Sequence, residues 1–311
     1  MKRILASLTT VVLCASASAQ KERPRPRITG IAAVQFYSTN MDTARSFYTR
    51  VVSSEGTPSD ACLWCERSPI GGERPVIAFP FFMQQLSSGQ NLVLATAPKT
   101  PPSNLLYEIV FATDDVNAMK KYLAAKMIPI PKIRGSSDEY FAIIDPEGYR
   151  IGFKQQTNSP TSPSSSTMRI IHAGFVVRDR DAEDRFYKDI LGFHVYWHGG
   201  RKDDETSWVD MQVPDGTDWI EYMLNVPANA DHHTLGVMNH IALGVPDIHA
   251  AEEQLRKNRW TGNEQPKIGR DGKWQLNLYD PDDTRVELME FTPTQKPCCS
   301  EYTGPHPGQH P

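Results

Sequence analysis

Two histidines and two glutamates recur at matched places in the second half of the chain. His172 lies in "RIIHAGFVV" and His240 in "NHIALGV"; Glu221 lies in "DWIEYML" and Glu287 in "RVELME". Each histidine precedes its glutamate by a nearly equal stretch, 172 to 221 and 240 to 287. A histidine inside an apolar run is either a satisfied core residue or a ligand. A carboxylate flanked by apolar residues is costly to bury unless it is paired or metal-bound. Side chains of a strand alternate between faces. His172 therefore shares a face with Gly174 and Val176, while Ile171, Ala173 and Phe175 take the other. His240 shares a face with Ala242 and Gly244, opposite Ile241, Leu243 and Val245. The bulky faces suit packing under a helix and leave the histidine faces, lined with small residues, open. That is a better setting for a ligand than for a core histidine. Two imidazoles and two carboxylates suit one divalent transition metal: zinc, nickel, cobalt, manganese or iron.

The elements that must position these residues repeat. "RIIHAGFVVRDRDAEDRFYKDIL" and "NHIALGVPDIHAAEEQLRK" each read as a strand, a short turn and an amphipathic helix. Strand-like segments follow each helix: "TSWVDMQV" and "DWIEYMLNV" after the first, "KWQLNLYD" and "RVELMEF" after the second, the last two joined by an Asp-Pro-Asp-Asp turn. Three first-half segments match second-half ones in the same order. "ARSFYTRVV" matches "EDRFYKDIL", "YEIVFATDDVNAMKKYL" matches "NHIALGVPDIHAAEEQL", and "DPEGYRIGF" matches "DPDDTRVEL". This is a duplication, each half holding two β-α-β-β-β units. The order excludes a regular parallel βαβ array and predicts an α+β fold. The expected units are residues 28–155 and 168–293, joined by the Ser/Thr/Pro linker 156–167 and followed by the tail 294–311. In the first half the ligand positions fall on Ala33, about Val93, Glu108 and Gly152, and one carboxylate does not hold a metal. That half reads as a partner without a metal of its own.

With 311 residues and a net charge of −4, the chain has room for two domains and no electrostatic reason to bind nucleic acid or an anionic membrane. No apolar run after residue 20 is long enough to span a bilayer. Residues 1–19 have the layout of a secretory signal peptide: Lys2 and Arg3, an apolar stretch, then Ala17-Ser18-Ala19 with cleavage expected after Ala19. The mature protein is then exported, to periplasm or exterior. In an oxidising compartment Cys62, Cys65, Cys298 and Cys299 are disulfide candidates first. Adjacent Cys298 and Cys299 are not expected to bond to each other. With His306 and His310, they lie in a tail that either drapes on the protein or binds metal. Arg270 and Lys273 read as solvated loop charges or contacts for an anionic substrate. Trp274 and Tyr279 either wall a pocket or only pack, and the remaining histidines read as surface residues.

"HAGFVVRDRDAEDRFYKDILGF", "HIALGVPDIHAAEEQL" and "DPDDTRVELMEF", in that order, resemble the vicinal oxygen chelate superfamily, which includes glyoxalase I, extradiol dioxygenases and bleomycin-resistance proteins. The resemblance implies four β-α-β-β-β modules paired into two eight-stranded cradles, with His172, Glu221, His240 and Glu287 holding one metal in the second. It implies a small-molecule substrate with neighbouring oxygens. It also implies a lyase or isomerase reaction through an enediolate, with Glu221 or Glu287 as the general base. Two alternatives stay open. An extradiol dioxygenase would use iron(II) with His172, His240 and Glu287, leaving Glu221 extra; a binding protein would use the cradle without catalysis. A homodimer is compatible with each.

Overall fold

The computed structural model describes residues 24–51, 58–59, 81–86, 88–132, 136–156 and 168–308. The expected leader, most of the linker, Cys62, Cys65 and His310 lie outside them. In chain order the first half contains β1 (Ile28–Ser38), α1 (Met41–Val51), β2 (Pro58–Ser59), β3 (Phe81–Gln85), β4 (Asn91–Thr96), β5 (Leu106–Thr113), α2 (Val116–Ala125), β6 (Tyr140–Ile144) and β7 (Arg150–Gln155). The second half contains β8 (Arg169–Val176), α3 (Arg180–Asp184, continued as a π-helical segment over Arg185–Ile190), β9 (His194–Gly199), β10 (Trp208–Gln212) and β11 (Trp219–Met223). It continues through α4 (His232–Met238), β12 (His240–Val245), α5 (Ile248–Lys257), β13 (Lys267–Ile268), β14 (Trp274–Tyr279) and β15 (Arg285–Glu290). His232 and His233 thus open a short helix.

The same local signal starts the helix in each module. An Asx side chain just past the first strand accepts a backbone N–H of the first turn and satisfies one of the donors a helix start leaves open. Asn40 accepts from Thr43, Asp115 from Ala118, Asp179 from Ala182, and Asp247 from both His249 and Ala250. Each helix then buries one stripe, such as Val116, Met119, Tyr122 and Leu123 of α2. The last two strands of modules two and four are joined by Asp-Pro turns whose aspartate accepts from the chain ahead, Asp145 from Tyr149 N–H and Asp280 from both Asp282 and Thr284 N–H.

The strands form two sheets. One has eight strands in the order β13-β14-β15-β12-β8-β11-β10-β9. The other has seven among the described residues, β2-β3-β4-β1-β5-β7-β6. In each sheet the first strands of two modules pair antiparallel at the centre, β1 with β5 and β8 with β12. In both second-half modules the closing strand returns parallel to the first, β11 beside β8 and β15 beside β12. One apolar cluster runs through both halves, from Ile28 and Phe111 to Phe175, Tyr187 and Leu288. Polar contacts lock the halves together: Tyr48 donates to Asp280, Ser38 to Asp282, and Gln90 bonds the backbone of both Ile31 and Ile170. No helix among the described residues is long and apolar enough to cross a membrane.

Over its described residues the tail packs across the second sheet. Trp197 Nε1 donates to Cys298 O, Ser300 Oγ exchanges hydrogen bonds with the His198 backbone, Tyr302 OH donates to Asp271 O, and Gln212 Nε2 donates to Pro305 O. Contrary to the expectation from adjacency, Cys298 and Cys299 are joined to each other by a disulfide. Cys299 adopts a left-handed backbone conformation, φ 71°, that turns the chain back on itself there.

At the junction of the halves, Glu183 on α3 is fully buried and accepts from Glu147 N–H, beside buried Asp145, which accepts from Tyr187 OH. Burial raises Asp145 to about 7, with Glu147 adding repulsion, and raises Glu183 to about 9, with Asp145 adding repulsion. Both values exceed the roughly 4 of an unfolded carboxylate. The protonated forms are therefore favoured by folding, and the stability they contribute is complete below about pH 4 and lost as pH rises through 7 to 9. A Glu183→Gln variant, neutral throughout, is expected to show a flatter Tm between pH 6 and 9 than the parent. Equal slopes in the two proteins would rule out Glu183 as a source of the pH dependence.

Candidate metal centre

Four adjacent strands of the eight-stranded sheet, β15, β12, β8 and β11, each contribute one of the four residues singled out in the sequence. Their register explains why the side chains meet. Ala242 stands in register with both His172 and Glu287, and Gly174 with both His240 and Glu221. Two neighbouring rows thus each hold two long donors flanking one small residue, and the donors lean together over the gap. A Cβ on Gly174 would lie 2.0 Å from His240 Cε1, so the imidazole occupies the space that glycine leaves.

The donor atoms converge. His172 Nε2 and His240 Nε2 are 3.1 Å apart. One Glu221 oxygen lies 3.1 Å from His240 Nε2 and 3.7 Å from His172 Nε2. One Glu287 oxygen lies 3.7 Å from His172 Nε2 and 3.9 Å from His240 Nε2. Ligand atoms of His172, His240 and Glu287 all fall within 4.8 Å of one another. His172, His240 and Glu287 are buried; Glu221 keeps 14% of its side chain exposed. His240 Nδ1 lies 3.1 Å from Met238 O, which leaves Nε2 as the nitrogen facing the cluster. His172 stacks on Trp219, ring centroids 4.9 Å apart, and its Nδ1 has no hydrogen-bond partner among the described residues.

The histidine face is not open, as its small residues suggested. Tyr196, Trp219, Met289, Phe291 and tail residue Tyr302 pack over it. Beneath that cover lie Lys273, which the sequence left as either a loop charge or a contact for an anionic substrate, and Asp210, Asp271 and Arg285, which it did not single out. Lys273 is fully buried, its Nζ 4.4 Å from the Trp219 ring centroid and 5.3 Å from those of Tyr196 and Tyr302. It is neither a solvated loop charge nor hydrogen-bonded among the described residues. Buried Asp210 stands in register with Glu221, and buried Asp271 accepts from Tyr302 and Gln275. Arg285, two residues before Glu287, places Nη2 2.5 Å from His240 Nε2. Arg270 lies outside the cluster, ion-paired with Asp203 and bonded to Gly200 O. Trp274 faces the helix side of the sheet, packed on His249 of α5 with ring centroids 4.9 Å apart. Tyr279 is 37% exposed beside His233. Neither joins the four donors.

Burial sets the protonation states. It holds both imidazoles well below their ordinary value, His172 further through His240 and Arg285, and His240 through Arg285. It raises Glu221 and Glu287 to about 7 and Asp271 to about 6, and pushes Asp210 well up, with Glu221 adding repulsion. Neutral imidazoles with available lone pairs and carboxylates whose charge needs a nearby cation are the donor set a divalent transition metal takes. The residues present therefore fit a metal, held by His172, His240, Glu287 and Glu221.

The first sheet shows the same positions filled differently. Glu108 stands in the place of His240, and Gln35 in that of Gly174. Gln35 Nε2 donates to Glu108 at 2.6 Å, Arg150 Nε pairs with it at 3.0 Å, and Tyr140 OH also donates to it. Glu108 is thereby fully engaged within the chain, and among the described residues no metal-binding group of His, Cys, Asp or Glu is found in that sheet.

A model of the Glyoxalase/Bleomycin resistance protein/Dioxygenase superfamily matches residues 169–288, which span all four donors. The second half belongs to the vicinal oxygen chelate superfamily. Lactoylglutathione lyase from Haemophilus influenzae is 26% identical over 130 residues, 41% of this chain and 96% of that protein. Among solved structures, an extradiol ring-cleaving dioxygenase from Brevibacterium fuscum superposes with a TM-score of 0.59 at 18% identity, covering 92% of this chain and 75% of that one. Homoprotocatechuate 2,3-dioxygenase from Arthrobacter globiformis gives 0.56 at 18% identity, covering 86% and 81%. At these identities the structures establish a shared two-sheet fold alone.

Because Gly174 makes room for the His240 ring, Gly174→Ala is expected to displace that imidazole. Metal affinity should then drop by about tenfold or more, a loss typical of disturbed ligand orientation. Circular dichroism should show the sheet intact. Unchanged affinity for Co²⁺ in a chelator competition would show that His240 is not held where the structure puts it.

Proposed function

We propose that the protein is an exported, metal-dependent lyase or isomerase of the vicinal oxygen chelate superfamily, acting on a small substrate that carries neighbouring oxygens. The observation that supports this over the dioxygenase reading is the place of Glu221. Its oxygen sits within 4 Å of both Nε2 atoms, so it is a member of the donor cluster rather than a bystander. A metal held there supplies Lewis acidity toward the substrate's oxygens. Export rests on the residue pattern of 1–19 alone, and it weighs against a substrate built on a cytosolic thiol.

The two glutamates differ in what they can do. Glu287 is the more deeply buried, 4% of its side chain exposed against 14% for Glu221. Glu221 is thus better placed to reach a bound substrate, and a carboxylate raised to about 7 is matched to accepting and returning a proton near neutral pH. We assign it the general base, taking the proton from the carbon next to an oxygen and delivering it to the neighbouring position. Glu287, with the two histidines, would keep hold of the metal while Glu221 turns from it to the substrate. Lys273 and Arg285 supply positive charge where the substrate's oxygens gain negative charge.

The second reading, an iron(II) extradiol dioxygenase, is favoured by one fact. The buried trio His172, His240 and Glu287, two histidines and one carboxylate, brings its ligand atoms within 4.8 Å of one another without Glu221.

The deciding measurement is the metal content of the purified mature protein, beside a His172→Ala, His240→Ala double variant. About one equivalent of metal, lost in the variant, is the expected result. Nickel, cobalt or zinc, with Glu221→Gln losing on the order of 10²–10⁴ in kcat while keeping metal, supports the proton-transfer enzyme. Iron with catechol-dependent oxygen uptake replaces it with the dioxygenase. No metal uptake by either protein from any of the ions would leave a binding module.

A further inference from the structure

The imidazole of His240 has one nitrogen to offer the cluster, since Nδ1 is turned to Met238 O. Arg285 Nη2 sits 2.5 Å from that nitrogen, Nε2, and 3.8 Å from the Glu221 oxygen. A guanidinium carries only donors, so Nε2 must be the acceptor in this contact. The lone pair that Arg285 engages is the one a metal would need. Arg285 and the metal cannot both hold it.

The repeat shows that this arrangement is built in. Arg150 occupies the same place on β7, aligned through the matched "DPEGYRIGF" and "DPDDTRVEL" segments. There the guanidinium is paired with Glu108, the counterpart of His240, and Tyr140 gives it a second partner. In the first sheet an arginine is the cation of the cradle, in a completed network. In the second sheet the hold is partial. Arg285 Nε is buried with no hydrogen-bond partner among the described residues. Arg285 is bonded through one terminal nitrogen, whereas Arg150 is bonded through both Nε and Nη2, so fewer bonds must break to release Arg285.

We infer that Arg285 is an internal competitor of the metal: it holds His240 Nε2 and Glu221 itself, and lowers the affinity of the site for a divalent cation that must displace it. The inference rests on the metal-enzyme reading above. It gives Arg285 a role in metal binding, separate from any contact with substrate. Two effects act in the same direction, the shared lone pair and the repulsion between a guanidinium and a cation a few ångströms away.

Co²⁺ is a suitable probe because its absorption spectrum reports binding without turnover. Chelator competition gives its Kd for the parent, Arg285→Met, which keeps an apolar stem without charge, and Arg285→Lys, which keeps the charge on a shorter reach. Arg285→Met is expected to bind Co²⁺ about tenfold tighter or more, the range of one charge-assisted hydrogen bond. Thermal unfolding in EDTA should show Arg285→Met less stable than the parent, because His240 and Glu221 lose their donor. Saturating Co²⁺ should reverse that order. Equal or weaker binding by a folded Arg285→Met overturns the inference and leaves the metal site standing. If Arg285→Met fails to fold, Arg285→Lys decides in its place, tighter binding supporting competition and equal or weaker binding rejecting it. Failure of parent and variants alike to bind Co²⁺ withdraws the metal reading and the inference with it.

Discussion

The antiparallel pairing of β8 with β12 is the constraint on which the candidate centre depends. It sets Gly174 opposite His240 and Ala242 opposite His172. A shift of one residue would turn every side chain of one strand to the other face, sending the histidine into the helix-packed core and an isoleucine into the cradle. The register is held because the opposite faces are not interchangeable. Ile241, Leu243, Ala173 and Phe175 belong to the large apolar cluster shared with the helices. Burial on one face therefore fixes geometry on the other. The closing strands add their glutamates through the parallel pairs β8–β11 and β12–β15, and the small residues between the donors let four side chains reach a common point.

Comparing the two halves shows what duplication left free to change. In the first, Gln35, Glu108, Tyr140 and Arg150 satisfy one another, and a buried carboxylate with that many donors and a cation beside it is a finished structural unit. In the second, the corresponding positions hold glycine, histidine and arginine, and His172, Glu221 and Glu287 complete a set of donors far less satisfied within the chain. The fold is common to both sheets, and chemistry differs because a few inward-facing positions differ.

Much of this was legible in the residues because strand alternation and repeat spacing are properties of the sequence itself. The module order, the Asx helix starts, the Asp-Pro turns and the four converging donors all follow from patterns that need no tertiary information. For Trp274, left open between walling a pocket and packing, the deciding signal was present: it shares parity with Leu276 and Leu278, which face the core, while Gln275 and Asn277 share the other face. What lies over the donors was not legible. Nothing near Lys273 in the sequence announces that Tyr196, Trp219 and Tyr302, from three distant segments, will enclose it. Arg285 has the parity of Glu287, but a sequence does not reveal which inward charges meet. The tail's course likewise depends on Trp197, Gln212 and Asp271, contacts made across long separations.

The charges under that cover make a coherent set. Four acidic groups, Asp210, Glu221, Asp271 and Glu287, influence one another there, and each is pushed upward by burial. Two cations lie among them, Lys273 and Arg285, so full ionisation leaves an excess of two negative charges in a water-poor interior. Such an excess is resolved either by protonating carboxyl groups or by admitting a cation. Zinc, nickel, cobalt, manganese and iron(II) would each contribute two positive charges and balance the set. The two resident cations then have distinct roles set by their surroundings. Lys273 is caged by three rings, held in place without a directional bond, and Arg285 is tied to the donors themselves. A guanidinium so placed keeps the imidazole and carboxylate aligned, while its single-point hold leaves the site able to exchange one cation for another.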